Sequence, residues 1–213
     1  LDLSGLSYSD INDLQITSDG TNFYILFTRN HKEVTENKSE IYGLVISADG
    51  SIITSAKQIS PTTSKKAITS EIVYTKQGFA VIWLEADGDT NTNVMYHLID
   101  TALNGILSSP VDVSKTTGEH AYPRIAFNGS NIAISFGTSI YKEPGNKKVV
   151  SAMQISILNS QTGNEEANYK IPDTFGFISA NSIVAPMGKN GFAFLWKAQT
   201  GSLSKIYFAE YCH

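Results

Sequence analysis

An all-β, four-bladed β-propeller is the fold class the sequence predicts. Three observations predict it: four copies of one strand pattern at a period slightly above 50 residues, turn residues between successive apolar runs, and an opening stretch that matches the strand its last copy lacks. Each repeat begins with a short alternating run, "LQITSDG", "EIVYTKQ", "RIAFNGS" and "SIVAPMGKN". Its isoleucine markers are Ile16, Ile72, Ile125 and Ile183, spaced by 56, 53 and 58 residues. The second run is the most apolar: "FYILFTRN", "FAVIWLEA", "IAISFGTS" and "FAFLWKAQ", each carrying an aromatic at an equivalent point, Phe27, Trp83, Phe136 and Trp196. Gly, Asn and Asp between the two runs are hairpin signals, because those residues tolerate the positive φ that tight turns need.

A third strand follows in every copy, "EIYGLVIS", "NVMYHLID", "VSAMQISI" and "SKIYFAEY". Turns of the type "ADGS", "LNGI" and "QTGN" then lead to a short fourth strand closing on "KQIS", "VDVS" or "YKIP". The last copy stops after its third strand, and "LDLS" at 1–4 matches "VDVS" at 111–114 in residue type. The expectation is therefore one domain over 1–213, with blades at about 10–60, 65–114, 119–172 and 176–213, the last completed by residues 1–7. A clasp of this kind removes an open strand edge. The competing expectation is that the repeats belong to a larger propeller.

Composition narrows the function classes. Hydrophobic residues make up 41% and charged residues 17%, which fits a folded globular chain. With 16 Lys and Arg against 20 Asp and Glu, the net charge of −4 opposes a nucleic-acid or anionic-membrane partner, which demands clustered cations. No apolar run approaches the roughly 20 residues of a membrane span. A lone cysteine, Cys212, has no internal disulfide partner; such cysteine scarcity fits a secreted, periplasmic or cell-surface setting.

The strings "PRIAFNGSNIAISF" with "QISILNSQTG", and "EIVYTKQGFAVIWLEADG", resemble the strand-turn-strand repeats of bacterial secreted and cell-surface β-propeller proteins. The resemblance covers the whole chain and lies in blade scaffolding, so it implies the fold and an extracytoplasmic setting. The chain is similar to hemopexin-like domains in blade number alone. The Asp-box of sialidase-like propellers, S-x-D-x-G-x-x-W, is approached by "SADGSII" at 47–53 and "TSDGTNF" at 17–23. Both lack the residue between Asp and Gly, so they read as hairpin turns.

Candidate site residues follow from the repeat geometry. The residue before each marker isoleucine is Gln15, Glu71, Arg124 or Ser182, and first strands of a propeller surround its central channel. Glu71 and Arg124 fall in adjacent blades and can form a charge-assisted pair. Inner-strand carbonyls could also hold a Ca²⁺ or Na⁺ ion in the channel by oxygen ligation, with no cofactor required. The loops between second and third strands vary most and contribute His31, Glu85, Asp87 and Tyr141, while the segment entering the third blade adds His120 and Tyr122. Tyrosine offers a ring for stacking and a hydroxyl for hydrogen bonding. The aromatic set Phe27, Trp83, Phe136 and Trp196 reads as inter-blade core.

No G-x-S-x-G, H-E-x-x-H, C-x-x-C or phosphate-loop motif occurs. The sequence therefore points first to a non-catalytic binding module that recognises a carbohydrate or a protein through loops on one face. The alternative is a carbohydrate-active hydrolase or lyase using Glu71, Glu85 or Asp87 with Arg124 near the channel mouth. An interaction domain of a larger surface protein is the third reading.

Overall fold

The computed structural model describes residues 11–31, 38–61, 65–88, 91–142, 148–171, 177–200 and 202–212, which form fifteen β-strands. The first blade is β1 (Ile11–Ser18), β2 (Asn22–His31), β3 (Lys38–Ser47) and β4 (Ile52–Gln58), and the second is β5 (Lys66–Thr75), β6 (Gly78–Ala86), β7 (Thr92–Ile99) and the short β8 (Val111–Asp112). The third comprises β9 (Ala121–Phe127), β10 (Asn131–Lys142), β11 (Lys148–Asn159) and β12 (Glu165–Ile171). The fourth contributes β13 (Phe177–Pro186), β14 (Gly191–Thr200) and β15 (Leu203–Cys212). Every blade is an antiparallel meander in chain order, which is the predicted four-bladed all-β architecture.

The third and fourth blades are not fully separate sheets. Val150 of β11 pairs with Ile178 of β13, joining them into one seven-stranded sheet. The cause is strand length: β11 has twelve residues and extends past its register with β12, which begins at the Met153–Ile171 pair.

Burial along each second strand reports what covers it. β6 is buried at eight of its nine positions because both of its faces meet another blade. Phe79, Val81 and Trp83 pack with Tyr24, Leu26, Ile41 and Val45 of the first blade. Ala80, Ile82 and Leu84 turn the other way, onto Ile132, Ile134 and Phe136 of the third. The same logic places Phe192, Phe194, Trp196 and Ala198 against Ala133, Met153, Ile155 and Ile157. All four predicted core aromatics, Phe27, Trp83, Phe136 and Trp196, are buried. Each such side chain contributes roughly 1.5–3 kcal/mol by leaving water.

The fourth seam differs. Among the described residues no hydrophobic cluster joins the fourth blade to the first. On the outward face of the fourth blade Ile183 is 58% exposed, Phe208 55% and Ile206 79%. Leu14 and Ile16 of the first blade are equally open. The expected clasp strand, residues 1–7, lies outside the described residues.

The hairpin of the second blade shows why a glycine is required at its turn. Gly78 has φ +153°, and a Cβ there would stand 2.1 Å from the carbonyl oxygen of Ile99.

Candidate functional site

The innermost strands β1, β5, β9 and β13 share one irregularity. Each carries a register shift: between Asn12 and Gln15, Ile68 and Glu71, Ala121 and Arg124, and Ile178 and Ser182. In the first three blades a residue at the equivalent point is left-handed: Asp13 at φ 51°, Thr69 at 51° and Tyr122 at 54°. A β-bulge with one left-handed residue therefore recurs three positions before the marker isoleucine. Bulges bend a strand and re-aim the side chain that follows. Pro123 fits here because a bulge leaves a position without a ladder hydrogen bond, so its missing N–H is not needed.

The re-aimed side chains meet across the blades. Arg124 Nη1 donates to Glu71 Oε1, and the main-chain N–H of Ile125 donates to Glu71 Oε2 at 3.0 Å. Both oxygens of one carboxylate are thus engaged by the third blade. The Arg124 side chain remains 40% exposed, whereas that of Glu71 is mostly covered. One seam further on, the hydroxyls of Ser135 and Ser182 are 3.1 Å apart. One seam back, the N–H of Thr69 donates to Asp13 Oδ2 at 3.3 Å.

A cavity of about 430 Å³ opens between β5, β9 and β13. Its lining joins Glu71, Arg124 and Ser182 to an apolar wall of Ile125, Ile183 and Val184. Three of the four positions singled out by the repeat are therefore brought together; Gln15 is not part of the lining. A cation there would meet one carboxylate already shared by two donors, and among the described residues no group of three His, Cys, Asp or Glu is gathered for a metal.

The remaining predicted residues are dispersed. Glu85 and Asp87 stand at the far end of β6, where the Lys65 ammonium lies 3.4 Å from Glu85 and 4.0 Å from Asp87. They line no part of the axial cavity. His120, expected to face a ligand, is instead buried and used by the fold. Its Nε2 is 3.0 Å from Thr116 Oγ1, its Nδ1 faces the Thr92 carbonyl oxygen, and its ring meets Phe136 edge-on at 5.5 Å. With both nitrogens engaged, it has no atom to offer a ligand. Tyr122 is exposed on the bulge. His31 ends strand β2 and Tyr141 is the last residue but one of β10, and their side chains lie outside the described residues.

Sequence reasoning did not single out Asp13, which lies on β1, outside the cavity lining, and accepts from the Thr69 N–H of β5. The signal was available: Asp13, Thr69 and Tyr122 occupy one repeat position, two residues before the position that drew attention.

No protein-family model matches the chain, and no curated protein matches it. Similarity is found among solved structures. The chain is similar to the GH43_1 enzyme from Xanthomonas citri complexed with xylose, with TM-score 0.56 and 10% identity over 94% of this chain and 69% of that one. It is also similar to the catalytic domain of the Coprinopsis cinerea GH62 α-L-arabinofuranosidase (TM-score 0.53, 11% identity, 99% of this chain and 66% of that one). An α-L-arabinofuranosidase from Podospora anserina in complex with cellotriose matches at TM-score 0.51 and 7% identity, with the same two coverages. The chain thus spans about two thirds of the length of these structures. At such identities the likeness is one of fold, and it is the propeller fold.

Proposed function

We propose that this propeller recognises a saccharide in the axial cavity between β5, β9 and β13. The observation that carries the reading is the lining itself: a partly exposed arginine side chain, a carboxylate and a hydroxyl beside an apolar wall. Sugars present both hydroxyls and apolar C–H faces, and sites for polar ligands combine a few fixed polar groups with apolar surface. The xylose and cellotriose bound to the similar solved propellers support a saccharide as the ligand class.

Hydrolysis is the second reading, favoured by those neighbours being glycoside hydrolases and by Asp13 on the adjacent bulge. A glycosidase needs two carboxyl groups roughly 5–10 Å apart. Glu71 and Asp13 are the two that neighbouring inner strands supply.

Titration with xylo- and arabino-oligosaccharides, followed by assay for released sugar, separates the readings. Arg124→Met and Glu71→Gln are expected to weaken binding about tenfold or more, as loss of a hydrogen bond to a charged group does. Sugar release that Asp13→Asn abolishes while binding persists assigns hydrolysis; binding without release assigns a recognition module. Absence of binding to every saccharide tested overturns both.

A further inference from the structure

We propose that the seam between the first and second blades encloses an internal hydration site bounded by Thr28, Ser39, Ser70 and Trp83. Their exposures are 1%, 3%, 2% and 0%, so each is sealed from bulk water. The three hydroxyl oxygens and the indole nitrogen have no hydrogen-bond partner within the protein. One orphaned group in a seam is tolerable. Four on facing strands are not, because a buried polar group without a partner loses its hydration for nothing.

The topology brings the four into one stretch of the seam, with Ser39 one same-face position beyond Thr28, paired with Asn30. Thr28 continues the face of β2 that carries Tyr24 and Leu26 toward the second blade, and Ser39 continues the face of β3 that carries Ile41. Trp83 continues the face of β6 that carries Phe79 and Val81 toward the first blade. Tyr24 and Phe79 meet across the seam with ring centroids 3.8 Å apart. Thr28 and Trp83 each lie four residues further along their strands from that contact. Ser70 occupies the bulge of β5 opposite Trp83, between the Ile68–Leu84 and Glu71–Ile82 pairs. The N–H of its neighbour Thr69 donates to Asp13, so this part of β5 lies against the first blade.

The chemistry of the set selects its occupant. Three hydroxyls both donate and accept, the indole N–H donates, and none carries charge. Water with two to four such partners is satisfied, whereas an ion finds no counter-charge. Ser70 immediately precedes Glu71, so water held here braces from within the seam the bulge that turns Glu71 toward Arg124.

Two measurements on the intact chain test this. The indole N–H of Trp83 is one of two in the chain and is assigned by its loss in Trp83→Phe. It is expected to show a nuclear Overhauser contact to a long-lived water. Thr28→Val and Ser70→Ala are each expected to weaken that contact and to lower the urea midpoint. Folded wild-type protein with no water contact at the Trp83 indole overturns the proposal. So does a raised midpoint in both variants, since removing a dry, orphaned hydroxyl stabilises.

Discussion

His97 shows how a single buried side chain sets a pH response. It lies on β7 beside Gly105, whose backbone is so close that a Cβ there would come within 2.9 Å of Nε2, and its Nδ1 has no partner in the protein. Burial pushes the imidazole below its ordinary value of 6.5, because the charged form loses hydration that nothing replaces. A histidine depressed in the folded state stabilises above the unfolded value and loses that contribution as pH falls through the folded one. The urea midpoint is therefore expected to decline from about pH 6.5 downward, and His97→Leu is expected to flatten the decline. Asp19 does not blur this window. The Asn22 N–H holds its carboxyl below 3.8, so its contribution fades only in stronger acid. At this scale the sequence was half legible. The Glu71–Arg124 pair follows from two equivalent repeat positions, but the burial of His120 does not, because nothing local marks Thr92 and Thr116 as its partners.

At the scale of the element, the inner-strand bulge is the feature with consequences. Thr69 is β-branched and left-handed, a conformation in which its side chain crowds the backbone by roughly 1–2 kcal/mol. Thr69→Asn keeps a polar side chain and relieves that crowding, so thermal or urea denaturation should show a gain of about 1 kcal/mol. An unchanged or lower stability means the hydroxyl or γ-methyl is used by the fold. Strands and turns were readable from alternation and turn residues, since both signals are local. The bulge was not, because a two-against-one mismatch exists only once a partner strand is in register: Thr69 and Ser70 together face Trp83. Asp13 was overlooked for the same reason.

For the whole molecule, the question is which blade faces are covered. Phe194 is buried in the seam between the third and fourth blades, while Phe208 lies on the outward face of the fourth, 55% exposed. Phe194→Ala is expected to cost about 3–5 kcal/mol. Phe208→Ser should stay within about 0.5 kcal/mol, as ordinary surface changes do. Comparable losses in urea melts of the two variants would mean that Phe208 is covered in solution and the fourth seam is closed. The marker isoleucines make the same point. Ile72 and Ile125 pack against seam cores, whereas Ile16 and Ile183 are exposed, although all four occupy one sequence position.

That contrast divides what the sequence determined from what tertiary structure decided. Alternation with period two and turn chemistry set the strands and the meanders, because each acts between residues close in the chain, and recurrence of that local pattern at a period slightly above 50 residues sets the number of blades. Which equivalent residues are core, which line the cavity, and which carboxylate is bound by two donors depend on the neighbouring blade. Those contacts form between residues more than 50 positions apart, such as Glu71 with Arg124 and Asp13 with Thr69. A repeat read one copy at a time gives each copy the same role; only the packing of blade on blade gives each a different neighbour.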